Sequence, residues 1–161
     1  MHLYLVQHGQ PKAESEDSQR PLTDKGKSEV ESVARHIANS GVTIHRIFHS
    51  GKLRARQTAE LFAQYLAPAQ GVAEKSGLGP TDEPGEAKRI VQQAEDSVML
   101  VGHLPHLSRL ASLLLLDNAE KEVISFKMGG VVCLGRKNEA WSVDWILLPE
   151  IAVRTKGNPS L

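Results

Sequence analysis

One cysteine, Cys133, stands in 161 residues. No disulfide can form within the chain, and a reducing compartment suits it, so a cytoplasmic location is expected. Excess charge is also missing: nineteen basic and nineteen acidic side chains cancel, which leaves no global field to draw nucleic acid or an anionic membrane. Apolar runs are no longer than that of Leu113 to Leu116, far shorter than the ~20 residues that cross a bilayer. The N-terminus has no basic stretch leading into an apolar core, so neither a signal peptide nor a lipid anchor is read. Neither a Walker A loop nor a GxGxxG turn occurs, and no cofactor is implied. His103 and His106 are three apart, but no acidic ligand is spaced with them and Pro105 lies between; no metal site is expected. His106, His36 and His45 read as surface or packing residues.

What is present is a regular alternation of strands and helices. Residues 2–6, "HLYLV", form an apolar run that Gly9 and Pro11 end, the mark of a short buried strand. A charged, aperiodic loop (12–20) follows. Then comes an amphipathic helix with Thr23 as N-cap, Gly41 as stop, and a stripe of Val30, Val33, Ala34, Ile37 and Ala38. "HRIFHS" (45–50) is a second strand, running into a helix from Lys52 to Leu66 with Ala55, Ala59, Phe62, Ala63 and Leu66 inward. A Gly/Pro-rich loop (77–86) and a short helix to Ala94 precede "SVMLVG" (97–102), a continuous β-branched strand suited to the middle of a parallel sheet. The next helix starts at Pro105 and turns Leu107, Leu110, Ala111, Leu114 and Leu115 inward. "GGVVCLG" and "AWSVDWILL" read as a closing hairpin, and the even spacing of Trp141 and Trp145 puts them on one face. The fold class is α/β: a three-layer α/β/α sandwich, with a mostly parallel central sheet and an antiparallel edge strand. Residues 1–150 make a single domain, and 151–161 a polar C-terminal tail.

Open α/β sheets bind ligands beyond the carboxyl ends of their strands. Three strands deliver unusual residues to that edge. The first ends at Gln7-His8-Gly9. The second ends at His49-Ser50 and continues on a helix carrying Arg54 and Thr58, four apart and on one face. The third ends at Gly102-His103. A lone histidine at a strand end is usually a hydrogen-bonded structural residue; three polar arrivals at one edge are explained together by a shared site. The chemistry they suit is phosphoryl transfer through a covalent histidine. A neutral imidazole is a good nucleophile for phosphorus, while guanidinium groups, a second imidazole and helix N-terminal amides hold the equatorial oxygens.

"QHG" after the first strand, "RPLTDKG" (20–26), "SGKLRARQT" (50–58) and "VGHLP" (101–105) resemble the histidine phosphatase superfamily, in its small SixA-like phosphohistidine phosphatase branch. The resemblance spans Leu3 to Leu148 and implies a phosphoglycerate mutase-like fold. It further implies that His8 is the phosphorylated nucleophile and that Arg54 and His103 bind phosphate. Arg20 is expected near the pocket mouth, with Ser50 and Thr58 close to it. The family places arginine where this chain has Gln7. Exchanging a charged fork for a neutral amide typically costs about 3–4 kcal/mol of transition-state binding, so reduced activity is expected. Ester cleavage also needs a general acid. Asp82 and Glu83 are the candidates, although solvated loop charges are the commoner reading. Phosphohistidine needs little acid, and no long insertion supplies a lid. The expected function is therefore hydrolysis of phosphohistidine on a partner protein from a phosphorelay or phosphotransfer system, by a monomer. The alternatives are an inactive module that binds a phosphorylated protein, or a small-molecule phosphomonoesterase.

Overall fold

The structure, a computed structural model, describes residues 1–154. Its elements run β1 (His2–Gln7), α1 (Asp24–Asn39), β2 (Arg46–His49), α2 (Leu53–Leu66), β3 (Val72–Glu74), α3 (Pro84–Gln93), β4 (Val98–Gly102), α4 (His106–Leu116), β5 (Val131–Lys137), β6 (Ala140–Leu147) and α5 (Pro149–Arg154). One six-stranded sheet has the order β3-β2-β4-β1-β5-β6. The first four in that order are parallel; β5 and β6 run antiparallel to their neighbours. This is the expected α/β sandwich with its antiparallel edge.

Period-two alternation along the strands divides the core in two. Tyr4, Val6, Ile47, Met99, Val101 and Cys133 face one side, where α1, α2 and α5 supply Val30, Val33, Ile37, Ala59, Phe62 and Ala152. Leu3, Leu5, Leu100 and Leu134 face the other, covered by Val91 of α3 and Leu107, Leu110 and Leu114 of α4. Thr23 caps α1 as expected, its hydroxyl accepting from Gly26 N at 2.9 Å. The "RPLTDKG" block has a second task. Thr23 N donates to the Gln10 carbonyl (2.9 Å) and Leu22 N to Gln57 Oε1 (2.8 Å). Gly26 packs so closely that a side chain there would collide with the Gln10 backbone. The block thereby clamps the loop that leaves β1.

Three expectations need correction. β3 was not foreseen, because its three residues, half-buried Val72 and Ala73 and exposed Glu74, carry no periodic signal. Residues 151–154, assigned to a polar tail, belong to α5, whose Ala152 is buried against the α1 side of the core. Residues 155–161 lie outside the described residues. Trp141 and Trp145 do not share a face. The β5–β6 register shifts between Cys133 and Leu134, paired with Trp145 and Val143, so Asp144 is an extra residue. That bulge reverses the alternation. Trp145 packs beside Tyr4 at 5.9 Å between ring centres, whereas Trp141 joins the opposite cluster.

Candidate active site

Parallel pairing brings the ends of β1, β4 and β2 to one edge: Gln7 pairs with Gly102, and His49 with Val101. The chain leaves β1 at His8, β2 at Ser50 and β4 at His103, and these meet. The His8 and His103 rings are 5.1 Å apart, centre to centre. Arg54, in the first turn of α2, donates from Nε to His8 Nε2 at 3.3 Å. Ser50 Oγ lies 2.6 Å from His103 Nε2.

The tautomer of His8 follows from its partners. Nδ1 is 2.8 Å from the Gly9 carbonyl oxygen. A carbonyl only accepts, so Nδ1 carries the proton and Nε2 keeps a lone pair. The Gly9 peptide is itself held: its N–H donates to Thr58 Oγ1 at 2.9 Å, and Thr58 donates on to the Arg54 carbonyl at 2.7 Å. Thr58 was expected only near the phosphate. Its position shows that it ties the end of β1 beside His8 to the helix that bears Arg54. Gly9 is tightly placed too, since a Cβ there would stand 2.8 Å from Val30 Cγ2.

The electrostatics are those of a cationic niche without a counter-ion. Among the described residues neither Arg20 nor Arg54 forms an ion pair with a carboxylate. Burial first, then the Arg20 charge, presses the Arg54 pKa downward. Burial is also the main force on the imidazoles. It pushes His8 down to about 4, opposed by the Gly9 carbonyl and aided by Arg54 and Arg20. It pushes His103 down to about 3, with the charges of His8, Arg54 and Lys52 adding to it. Both rings are neutral at pH 7, as a nucleophile and a hydrogen-bonding partner should be. No side chain caps either α2 or α4 at its start; Ala55 N and Leu107 N close instead onto the Lys52 and His103 carbonyls, both at 2.9 Å.

Arg20 is half-buried and reaches back to the Lys12 carbonyl through Nε (3.3 Å). Its backbone is left-handed, at φ 48°, a conformation that costs a non-glycine residue energy and is found often at functional sites. Gln7 ends β1 half-buried, and its carbonyl accepts from Gly129 N at 2.9 Å. Among the described residues its side-chain amide forms no hydrogen bond, so its donors are available. The carboxylates of Asp82 and Glu83 are engaged elsewhere. The Asp82 carboxylate accepts from Gly79 N (2.7 Å), and Glu83 pairs with Arg109 (3.4 Å) at an exposed position. Neither hydrogen-bonds or ion-pairs with His8, Arg54 or His103. Lys52 and His106 were not singled out for this site, although each bears on His103 electrostatically. No group of three or more metal-ligating side chains occurs among the described residues, and none of their helices is long and apolar enough to cross a membrane.

This fold has counterparts among known proteins. Residues 3–78 match the histidine phosphatase superfamily (branch 1). An uncharacterised protein of Picosynechococcus sp. is 33% identical over 142 residues, spanning 83% of this chain and 84% of the relative. The phosphohistidine phosphatase SixA of Escherichia coli is 29% identical over 117 residues, 70% of this chain and 73% of that one. The solved structure of the protein histidine phosphatase SixA complexed with tungstate superposes with a TM-score of 0.82 at 24% identity, covering 94% of this chain and 99% of that one. The α-ribazole phosphatase of Shigella flexneri also shares the fold, with a TM-score of 0.72, 16% identity, and coverage of 92% and 96%. The chain belongs to the histidine phosphatase superfamily.

Proposed function

We propose that this protein is a phosphatase that works through a covalent phosphohistidine at His8, and that its substrate is phosphohistidine displayed on a partner protein. One observation carries the reading. The Nε2 lone pair of His8 is fixed by the Gly9 carbonyl at the opposite ring nitrogen and faces the guanidinium of Arg54. A phosphoryl group entering between them meets a nucleophile on one side and donors on the other.

In the first step the Nε2 lone pair attacks phosphorus as the bond to the leaving nitrogen breaks. That bond's electron pair returns to the leaving imidazole, which is protonated at its other nitrogen and departs neutral. The three equatorial oxygens carry the spread charge. Arg54 and His103 bind them, with Ser50 releasing His103 Nε2 for the purpose, and Arg20 and the Gln7 amide reach from the rim. In the second step water attacks the phosphorylated His8. The N–P bond pair returns to Nε2, the water's proton passes to a phosphate oxygen, and inorganic phosphate leaves. The engagement of Asp82 by Gly79 N and of Glu83 by Arg109 favours an N–P over an ester substrate, because an alkoxide leaving group calls for a free acid at hand. The short connection between α2 and β4, which holds only β3 and α3 and no long insertion, favours a displayed side chain over an enclosed metabolite.

The test is a comparison of phosphate release from a phosphohistidine protein and from a panel of sugar phosphates. Faster turnover of the N–P substrate is expected, and faster ester turnover would refute the assignment. Labelling by a small phosphoryl donor should appear on the wild type and vanish in His8→Ala. Gln7 gives the non-catalytic alternative its one specific support. A chain that binds a phosphorylated partner yet neither labels nor turns over would be that module.

A further inference from the structure

We propose that His49 is a positioning residue for the phosphate site: its Nδ1 lone pair holds the Gly51 amide, and the turn fixed in this way sets Ser50 against His103 and aims the start of α2, which bears Arg54. This rests on the assignment of His103 and Arg54 as phosphate ligands.

Only residues 50–52 separate β2 from α2. This short turn carries Ser50, whose Oγ lies 2.6 Å from His103 Nε2, and it delivers Arg54, whose Nε donates to His8 Nε2 at 3.3 Å. No side chain caps α2, so the shape of the turn is set from the strand side. His49 Nδ1 lies 3.0 Å from Gly51 N. An amide N–H only donates, so Nδ1 accepts and the ring proton sits on Nε2, the opposite tautomer to that of His8. A side-chain acceptor bonded to the amide two residues on is the arrangement of an Asx turn, with an imidazole in the place of the carboxamide. Lys52 N reaches Ser50 Oγ at 3.4 Å, so both amides that follow Ser50 close onto side chains of the same segment. Gly51 adopts φ 88°, which a residue with a Cβ takes only at a cost.

The anchor is rigid. His49 is the last residue of β2, pairs with Val101 of β4, accepts from Lys75 N through its carbonyl at 2.9 Å, and is 5% exposed. Strand alternation puts its side chain on the face of Ile47, the side that α2 covers. The bond to Gly51 exists only while Nδ1 is bare. Burial first, and then Arg56 of α2, disfavour charge on the ring, against Glu74 of β3 and Glu60 of α2. A side chain of similar size without an acceptor at the δ position would fill the space and release the turn. Ser50 and Arg54 would then lose the fixed geometry on which oxyanion binding depends.

Asparagine and glutamine separate this role from packing. Asparagine carries its carbonyl oxygen where histidine has Nδ1, one bond beyond Cγ, whereas glutamine carries its amide one bond further out. Phosphoramidate hydrolysis, and tungstate binding followed by the ring nitrogen resonances of histidine-labelled protein, are measured for the wild type, His49→Asn, His49→Gln and His49→Leu. In the wild type at pH 7, His49 should show a bare Nδ1 and a protonated Nε2. His49→Leu and His49→Gln should each lose about tenfold in kcat/KM and bind tungstate more weakly, and His49→Asn should restore most of both. Equal activity of the asparagine and glutamine variants overturns the inference, whether or not the leucine variant folds. A wild-type His49 protonated at Nδ1 overturns it as well. If tungstate perturbs His8 and His103 equally in all four proteins, this inference falls while the phosphate site stands. A wild type in which tungstate perturbs neither His8 nor His103 overturns the phosphate site and this inference together.

Discussion

Thr58→Val removes one oxygen from the interior and almost no volume. The hydroxyl is fully buried and does two things: it accepts from Gly9 N at 2.9 Å and donates to the Arg54 carbonyl at 2.7 Å. These losses are unequal. The Arg54 carbonyl keeps its helical partner, the amide four residues on. The Gly9 N–H, buried between β1 and α2, is left with none. An orphaned buried donor costs about 1–3 kcal/mol. Both side chains are β-branched and of similar helix propensity, so no offset arises from the helix. Taking about 2 kcal/mol, the melting temperature should fall by about 4–8 °C in a chain of this size. Activity should fall as well, because the carbonyl of the same residue, Gly9, holds His8 Nδ1. A loosened peptide frees the imidazole to rotate or change tautomer, and one lost hydrogen bond's worth of orientation is about tenfold in kcat/KM. Urea unfolding and phosphate release from phosphoramidate, a small N–P donor, measure the two effects. Thr58→Ser is the paired control: it keeps the hydroxyl and loses a buried methyl, so its stability drops while its kcat/KM stays near that of the wild type. A valine variant within ~0.5 kcal/mol of the wild type and equally active would refute the reasoning.

Gln7→Arg should raise turnover of the same donor at least tenfold, since a charge-assisted fork replaces a neutral amide; unchanged or lower turnover would mean that the pocket is built around the amide. Gly26→Ala drives a methyl into the Gln10 backbone and should destabilise the protein by about 1–3 kcal/mol, with wild-type stability on urea unfolding as the contrary result. Acid sensitivity follows from the buried imidazoles. The folded pKa values of His8 and His103, about 4 and about 3, lie below the unfolded value of ~6.5. The unfolded chain therefore binds more protons between these limits. Stability is full above pH ~6.5 and is lost as pH falls towards 4, at up to ~2.7 kcal/mol per pH unit from these two residues. Urea midpoints measured from pH 7.5 to 4.5 check the slope; a flat profile would show that the histidines are solvated. By the same token kcat/KM should not fall at pH 6, where a free imidazole would already be about three-quarters protonated.

Legibility in the sequence followed how local the cause of each feature is. Thr23 as cap, the inward stripe of α1 and the unbroken apolar run of β4 arise from neighbours in the chain, and each was read from spacing alone. The meeting of His8, Arg54 and His103 was reachable because parallel strands share a carboxyl edge, so three strand ends imply one place. Features created across the sheet were not reachable. The bulge at Asp144 comes from β5–β6 pairing, and it sends Trp141 and Trp145 to opposite faces although their spacing is even. Thr58 was visible as a polar residue on the Arg54 face, but its bond to Gly9 spans 49 positions. His106 reads in the sequence as a surface or packing residue, and its full burial exists only once α4 lies on its core. Gln7 carries the contrast furthest. Its chemistry is plain in one letter, yet its consequence depends on whether Arg20, strained into a left-handed backbone at the pocket mouth, supplies the charge that the amide lacks. That makes Gln7→Arg and Arg20→Ala a coupled pair. If Arg20 compensates, arginine at position 7 should rescue most of the activity lost in Arg20→Ala, and a double variant whose effects simply add would show two independent contributions.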